Sequence, residues 1–201
     1  MAAWSGAAHV GAPAKQPAVP RVAGIAKRRL PETGAEFSAC LLVISGTTPD
    51  KWRTVALNMI RQCRNLDWLI LTKRPQNILK MLPPDWSPRG WSHVWLGATV
   101  ENMTEARRRI PSLLRVPARV HWLSVAPLLE PLDLRPWLGR GIDWIVVGGE
   151  TGAKNARCME PNWARDLRDQ CRDTGATLFL KQMWKPQAIP ADLMVREYPA
   201  L

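Results

Sequence analysis

Glu150 stands among three glycines, in the run Gly148-Gly149-Glu150-Thr151-Gly152. Glycines let the backbone approach a bound molecule closely and leave amide donors beside the carboxylate. Such a turn can hold an ammonium or hydroxyl on Glu150 while its amides meet an anion. It is not a phosphate loop, because the required spacing and the following Lys-Ser/Thr are missing. As a structural feature alone it is a tight turn carrying a surface glutamate. Thr72-Lys73-Arg74-Pro75 supplies two cations in a second run, Lys181-Gln182 a cation and an amide in a third, and Glu101 a further carboxylate. Gathered at one place, these side chains suit a polar ligand carrying both signs. The competing account is an ion-pair network that only satisfies itself.

The segments that carry these runs share a design. Residues 68–75, 94–101, 120–127, 144–152 and 177–182 are each a short apolar stretch ending in a polar cluster. Buried strands with chemistry at their C-terminal ends mark a parallel α/β sheet or barrel with its site on one rim. Strands are predicted over 37–44, 67–72, 94–98, 118–124, 142–147 and 177–180. A helix is predicted to start at Thr48-Pro49-Asp50, with Trp52, Val55, Ala56, Met59, Ile60 and Cys63 on one apolar face. A short helix opens at Pro75. A polar helix carrying Arg107, Arg108 and Arg109 follows, broken or restarted at Pro111. The last helix spans 160–174, with Gly175 placed for a left-handed cap. Strand and helix alternate five or six times, short of eight, so a partial parallel (β/α) barrel is expected over residues 36–201.

Residues 1–35 read differently. They are rich in Ala, Pro and Gly, and Lys15, Arg21, Lys27, Arg28 and Arg29 all precede the first acid, Glu32. A disordered basic arm is expected there. The 201 residues carry a net charge of +11, which makes an acidic partner such as nucleic acid a candidate. Four cysteines, at 40, 63, 158 and 171, are widely spaced without a C-x-x-C pair, so they read as neither a zinc site nor a redox motif, and a reducing cytoplasm is expected. No apolar run approaches the roughly 20 residues of a membrane span. His9, His93 and His121 show no catalytic or metal-ligand spacing. The eleven tryptophans are best read as core, with Trp86, Trp91 and Trp184 in loops where they can face a groove.

The strand ends resemble a known family. Thr72-Lys73-Arg74-Pro75 within 66–75, the stretches 95–102 and 117–124, Gly148-Gly149-Glu150-Thr151-Gly152 within 143–152, Lys181-Gln182 within 179–182 and the tail 190–199 are similar to the phage-associated gene-product thirty-seven/sixty-eight family, whose members look like radical S-adenosylmethionine enzymes. The resemblance covers about residues 37–201 and implies the radical-SAM fold. For full-length relatives it implies S-adenosylmethionine and an iron–sulfur cluster held by an N-terminal cysteine-rich segment. Here Met1 to Gly34 stand where that segment would be, and Ser124-Val125-Ala126-Pro127 replaces the family's Ser-x-Glu-Pro. No cofactor or metal is therefore expected in this chain, because a cluster without thiolate ligands has no home.

The expected protein is a truncated or decayed relative, or one that kept a binding surface of Thr72, Lys73, Arg74, Glu101, Gly148, Gly149, Glu150, Thr151, Gly152, Lys181 and Gln182. A truncated barrel leaves an open sheet edge, which a homodimer or partner chain would cover. The alternative is a basic nucleic-acid-binding accessory protein of a mobile element.

Overall fold

The computed structural model describes residues 23–29, 36–43, 50–152, 155–184 and 187–200. Seven strands form a single sheet in the order of the chain: β1 Ala23–Arg29, β2 Glu36–Val43, β3 Asp67–Thr72, β4 Val94–Thr99, β5 Val120–Val125, β6 Trp144–Gly148 and β7 Thr177–Gln182. Strands β3 to β7 are parallel neighbours, β2 joins them in parallel, and β1 runs antiparallel on the outside. Among the described residues no pairing closes β7 onto β1 or β2, so the sheet is open. Ala23–Arg29 falls within the segment expected to be an arm without structure. An edge strand needs only backbone pairing on one side, which a polar sequence can supply. The rest of residues 1–35 lies outside the described residues.

Three helices cross between strands: α1 Asp50–Gln62, α2 Met103–Leu113 and α3 Pro161–Thr174. Asn102 caps α2, its side chain accepting the Glu105 N–H at 2.9 Å, and Glu130 takes the Met103 N–H at 2.7 Å. Two of the orphan donors of the first turn are thereby satisfied. The expected break at Pro111 does not occur, and α2 runs through it to Leu113. Pro111 forfeits the bond to the Arg107 carbonyl, but only two helical residues follow it, so the disturbance is confined to the helix end. Helix α3 ends at Gly175, whose φ of +76° is the left-handed cap expected of it.

All three helices pack on one face of the sheet. Ile60 of α1, Ile110 and Leu113 of α2, and Leu167 and Cys171 of α3 join Ile70, Leu96, Leu123, Ile145 and Leu178 in one core. Each fully buried Ile or Leu contributes roughly 1.5–3 kcal/mol. Strand β4 is buried along its whole length, as a central strand of a covered sheet should be. The α1 stripe is narrower than its spacing suggested: Ile60 is buried but Val55 and Met59 are 62% and 51% exposed. Among the described residues no helix is long and apolar enough to cross a membrane.

The opposite face carries the other half of each strand's alternation: Leu69, Trp95, Val120, Trp122 and Trp144 form a second core, flanked by Leu71, Val146, Phe179 and Tyr198. Trp95 meets Trp144 edge-on at 5.8 Å, and Trp122 lies 5.6 Å from Trp144. Gly97 makes room for this cluster, since a Cβ there would stand 2.3 Å from the Trp122 ring. The free side of β7 is occupied by the chain's own tail, through Leu180 N–H to Val195 O at 2.8 Å and Glu197 N–H to Leu178 O at 2.9 Å. The edge for which a partner chain was expected is thus partly covered from within.

Candidate functional site

Because β3 to β7 are parallel, their C-terminal ends lie along one edge of the sheet. Lys73 and Glu101 follow β3 and β4, Gly148 closes β6, Glu150 lies two residues beyond, and Lys181 is near the end of β7. Glu101 lies just past its strand and turns toward the helix-covered side, where Arg109 of α2 meets it.

Direct contacts divide the expected residues into two groups. Lys73 pairs with Glu101 through Oε1, and Arg109 donates to Glu101 Oε2 at 2.8 Å. Arg109 is buried, donates to Thr99 O at 2.7 Å and lies 2.6 Å from Glu105 through Nε. Burial alone would raise the Glu101 carboxyl, but the Lys73 hydrogen bond and the charges of Lys73 and Arg109 outweigh it and hold it below the ordinary range. The second group surrounds the glycine turn. Gly149 N–H donates to Gln182 O at 3.0 Å, and Gln182 Nε2 returns a bond to Gly149 O at 3.1 Å. A Cβ on Gly149 would stand 2.3 Å from Trp184 N, so this glycine is there for close backbone packing. Gly148, by contrast, has ordinary van der Waals room.

Glu150 is engaged within the chain. Arg157 grips both its oxygens, Nη2 to Oε1 at 2.8 Å and Nε to Oε2 at 3.0 Å, while the Arg157 N–H adds a third bond at 2.8 Å. These bonds lower its pKa to about 2. Thr151 and Gly152 are exposed beyond it, Gly152 with φ +91°. Lys181 is exposed at a register shift: Val147 faces Leu180 but Gly148 faces Gln182, so Lys181 is the extra residue of a bulge, a device that re-aims a side chain. Thr72 and Arg74 leave the group. Thr72 is buried, accepts the Arg74 N–H at 3.0 Å, and lines with Arg74 an apolar cleft on the helix side.

Sequence reasoning missed Arg109 and Arg157. The Glu105/Arg109 spacing of four on one helix was the available signal for the first; nothing in the spacing of Glu150 and Arg157 marked the second. Trp86 donates to Pro117 O at 2.8 Å and Trp91 to Asp85 O at 3.3 Å, so both loop tryptophans, like Trp184, pack against the core instead of facing a groove with their full surface. His93 is buried and bonded to Ile60 O at 2.9 Å, not a surface residue. Among the described side chains, the three thiols sit on separate elements. Cys63 follows α1, exposed Cys158 lies beyond β6, and Cys171 is inside α3, where burial pushes its thiol up to about 12. Among the described residues no three His, Cys, Asp or Glu are grouped to hold a metal.

A family described as protein of unknown function, DUF5131, matches residues 40–197. The chain belongs to this family. The DUF5131 match spans β3 to β7 with all three helices. It also ends at Glu197, within the tail that covers β7. No curated protein and no solved structure matches the chain.

Proposed function

We propose that this DUF5131 chain is a radical-SAM-like half-barrel of the phage gene-product type that binds a small dipolar ligand at its rim, without an iron–sulfur cluster of its own. The observation that supports the reading is the position of Lys73, Glu101, Gly148, Glu150 and Lys181 at or just after the C-terminal ends of parallel strands. Exposed Lys181 meets the ligand's anion. The ligand's cation competes for Glu150 with Arg157, or for Glu101 with Lys73. S-adenosylmethionine, the ligand implied by the resemblance, carries both of these groups. Tryptophan fluorescence titrated with it is expected to change saturably, and Lys181→Ala to weaken the effect several-fold. No saturable change overturns the reading. Anaerobic reconstitution with iron and sulfide is expected to yield no stoichiometric cluster, and a cluster with cofactor cleavage overturns that part.

A second reading, nucleic-acid binding, is favoured by one observation: the outermost strand β1 carries Lys27, Arg28 and Arg29 within a net charge of +11. Against it, Arg165 and Arg168 of α3 are paired with Asp192, and Arg108 of α2 with Glu105. Affinity for an oligonucleotide that falls steeply with salt supports this reading, and flat or absent binding removes it.

A further inference from the structure

A second cleft opens at the other end of the strands. Its walls are the loop before β4 and the turn before β5, so it lies at the N-terminal edge of the sheet, away from the rim. Two exposed guanidinium groups, Arg89 and Arg119, line it together with the Ser92 hydroxyl. Among the described residues neither arginine is within salt-bridge distance of a carboxylate; Asp67 feels the charge of Arg119 only at longer range. Arg109, Arg157 and Arg165 sit directly on carboxylates, whereas Arg89 and Arg119 share a cleft lined by no carboxylate.

The walls are fixed. Gly90 has φ +75° and approaches so closely that a Cβ would stand 2.8 Å from Pro117 O and 2.9 Å from Ala118 Cα. The same Pro117 carbonyl accepts the Trp86 indole N–H, and Ser87 accepts the Gly90 N–H at 2.9 Å. Pro88, Pro117 and Val116 give the cleft an apolar side. His121 lines the cleft too, but its Nε2 is committed to Val116 O at 2.8 Å, which leaves anion contact to the arginines.

We propose that this cleft binds a phosphate ester: Arg89 and Arg119 grip the phosphate, Ser92 donates to it, and the apolar side receives the organic body. Planar guanidinium forks match phosphate oxygens in a way a point charge does not. The site is independent of the rim. Calorimetric titration of the intact protein with adenosine monophosphate, inorganic phosphate and adenosine tests it. Saturable binding of the monophosphate is expected, weaker binding of inorganic phosphate, and none of adenosine. Arg89→Ala and Arg119→Ala are each expected to weaken the monophosphate by about 10-fold, the scale of one lost charge-assisted contact, and the double variant to abolish it. Lys181→Ala, at the rim, is expected to leave it unchanged, so failure here and failure of the rim reading are separable. Thermal melts establish that each variant is folded, and Arg89→Lys with Arg119→Lys, which keep the charge, are expected to retain partial binding. No saturable binding of monophosphate in the millimolar range, binding that survives the double substitution in a folded protein, or binding of adenosine equal to the monophosphate overturns the proposal.

Discussion

Arg109 donates to Glu101 Oε2 at 2.8 Å from a side chain only 8% exposed, and so ties helix α2 to the mouth of β4. Lys73, holding the other carboxylate oxygen, is 61% exposed. One glutamate is thus shared by a buried cation and a solvated one, and the two differ in what they are worth.

Arg109→Ala is expected to destabilise the fold by roughly 1–3 kcal/mol, because half-buried Glu101 and Glu105 lose their shared buried partner and keep only the solvated Lys73 and Arg108. Lys73→Ala is expected to cost under about 1 kcal/mol, the range of solvated ion pairs. Urea unfolding followed by tryptophan fluorescence measures both. Equal costs would show that the pair is solvated on both sides.

The glycines of the turn are expected to separate sharply. Gly149→Ala drives a methyl into the backbone of Met183 and Trp184 and is expected to cost about 1–3 kcal/mol or more. Gly148→Ala meets Gln182 Nε2 at 3.4 Å and Ala126 Cβ at 3.5 Å, and is expected to change stability by less than about 1 kcal/mol. Thermal midpoints of the two variants decide the matter.

The grip of Arg157 on Glu150 makes a prediction about acid. Its folded pKa of about 2 lies below the ordinary 4.5, so the pair contributes fully above the unfolded value and is lost as pH falls from about 4.5 toward 2. The difference in thermal midpoint between the protein and Glu150→Gln is expected to be constant near neutrality and to vanish across that window. A difference that persists at the acid end would mean that the glutamine keeps the Arg157 bonds.

Removing the tail after Met194 is expected to expose the β7 edge and orphan the Trp144 indole N–H, which donates to Glu197 O at 3.0 Å. Lower stability and concentration-dependent self-association should follow, read by melting and size-exclusion chromatography. A monomeric truncated chain of unchanged stability would show that the tail adds nothing to the edge.

The sheet was legible because its signal is local. Asp67–Thr72 is a strand at the bounds its apolar run suggests, and Gly175 ends α3 as a glycine there should. Features that depend on distant neighbours were not. Val55 and Met59 have helical spacing but stay largely exposed among the described residues, and only the neighbouring elements decide which part of an apolar stripe is covered. Pro111 looked like a break, yet its effect depended on how close α2 was to its end. The rim showed the same division. Parallel pairing of β3 with β4 brought Lys73 and Glu101 to one edge, but only the path of the chain after Gly152 could bring Arg157 back onto Glu150.

Gly97 and Trp122, on neighbouring strands, occupy what is in effect a single volume, since the indole fills the space where the other residue's side chain would begin. Their histories are therefore joined. A lineage can acquire a side chain at the first position only after the second has shrunk, and the smaller form must pass through a cavity or a clash on the way. Such a pair is inherited as one character, and it gives a way to recognise distant kin in which every charged residue at the rim has been replaced.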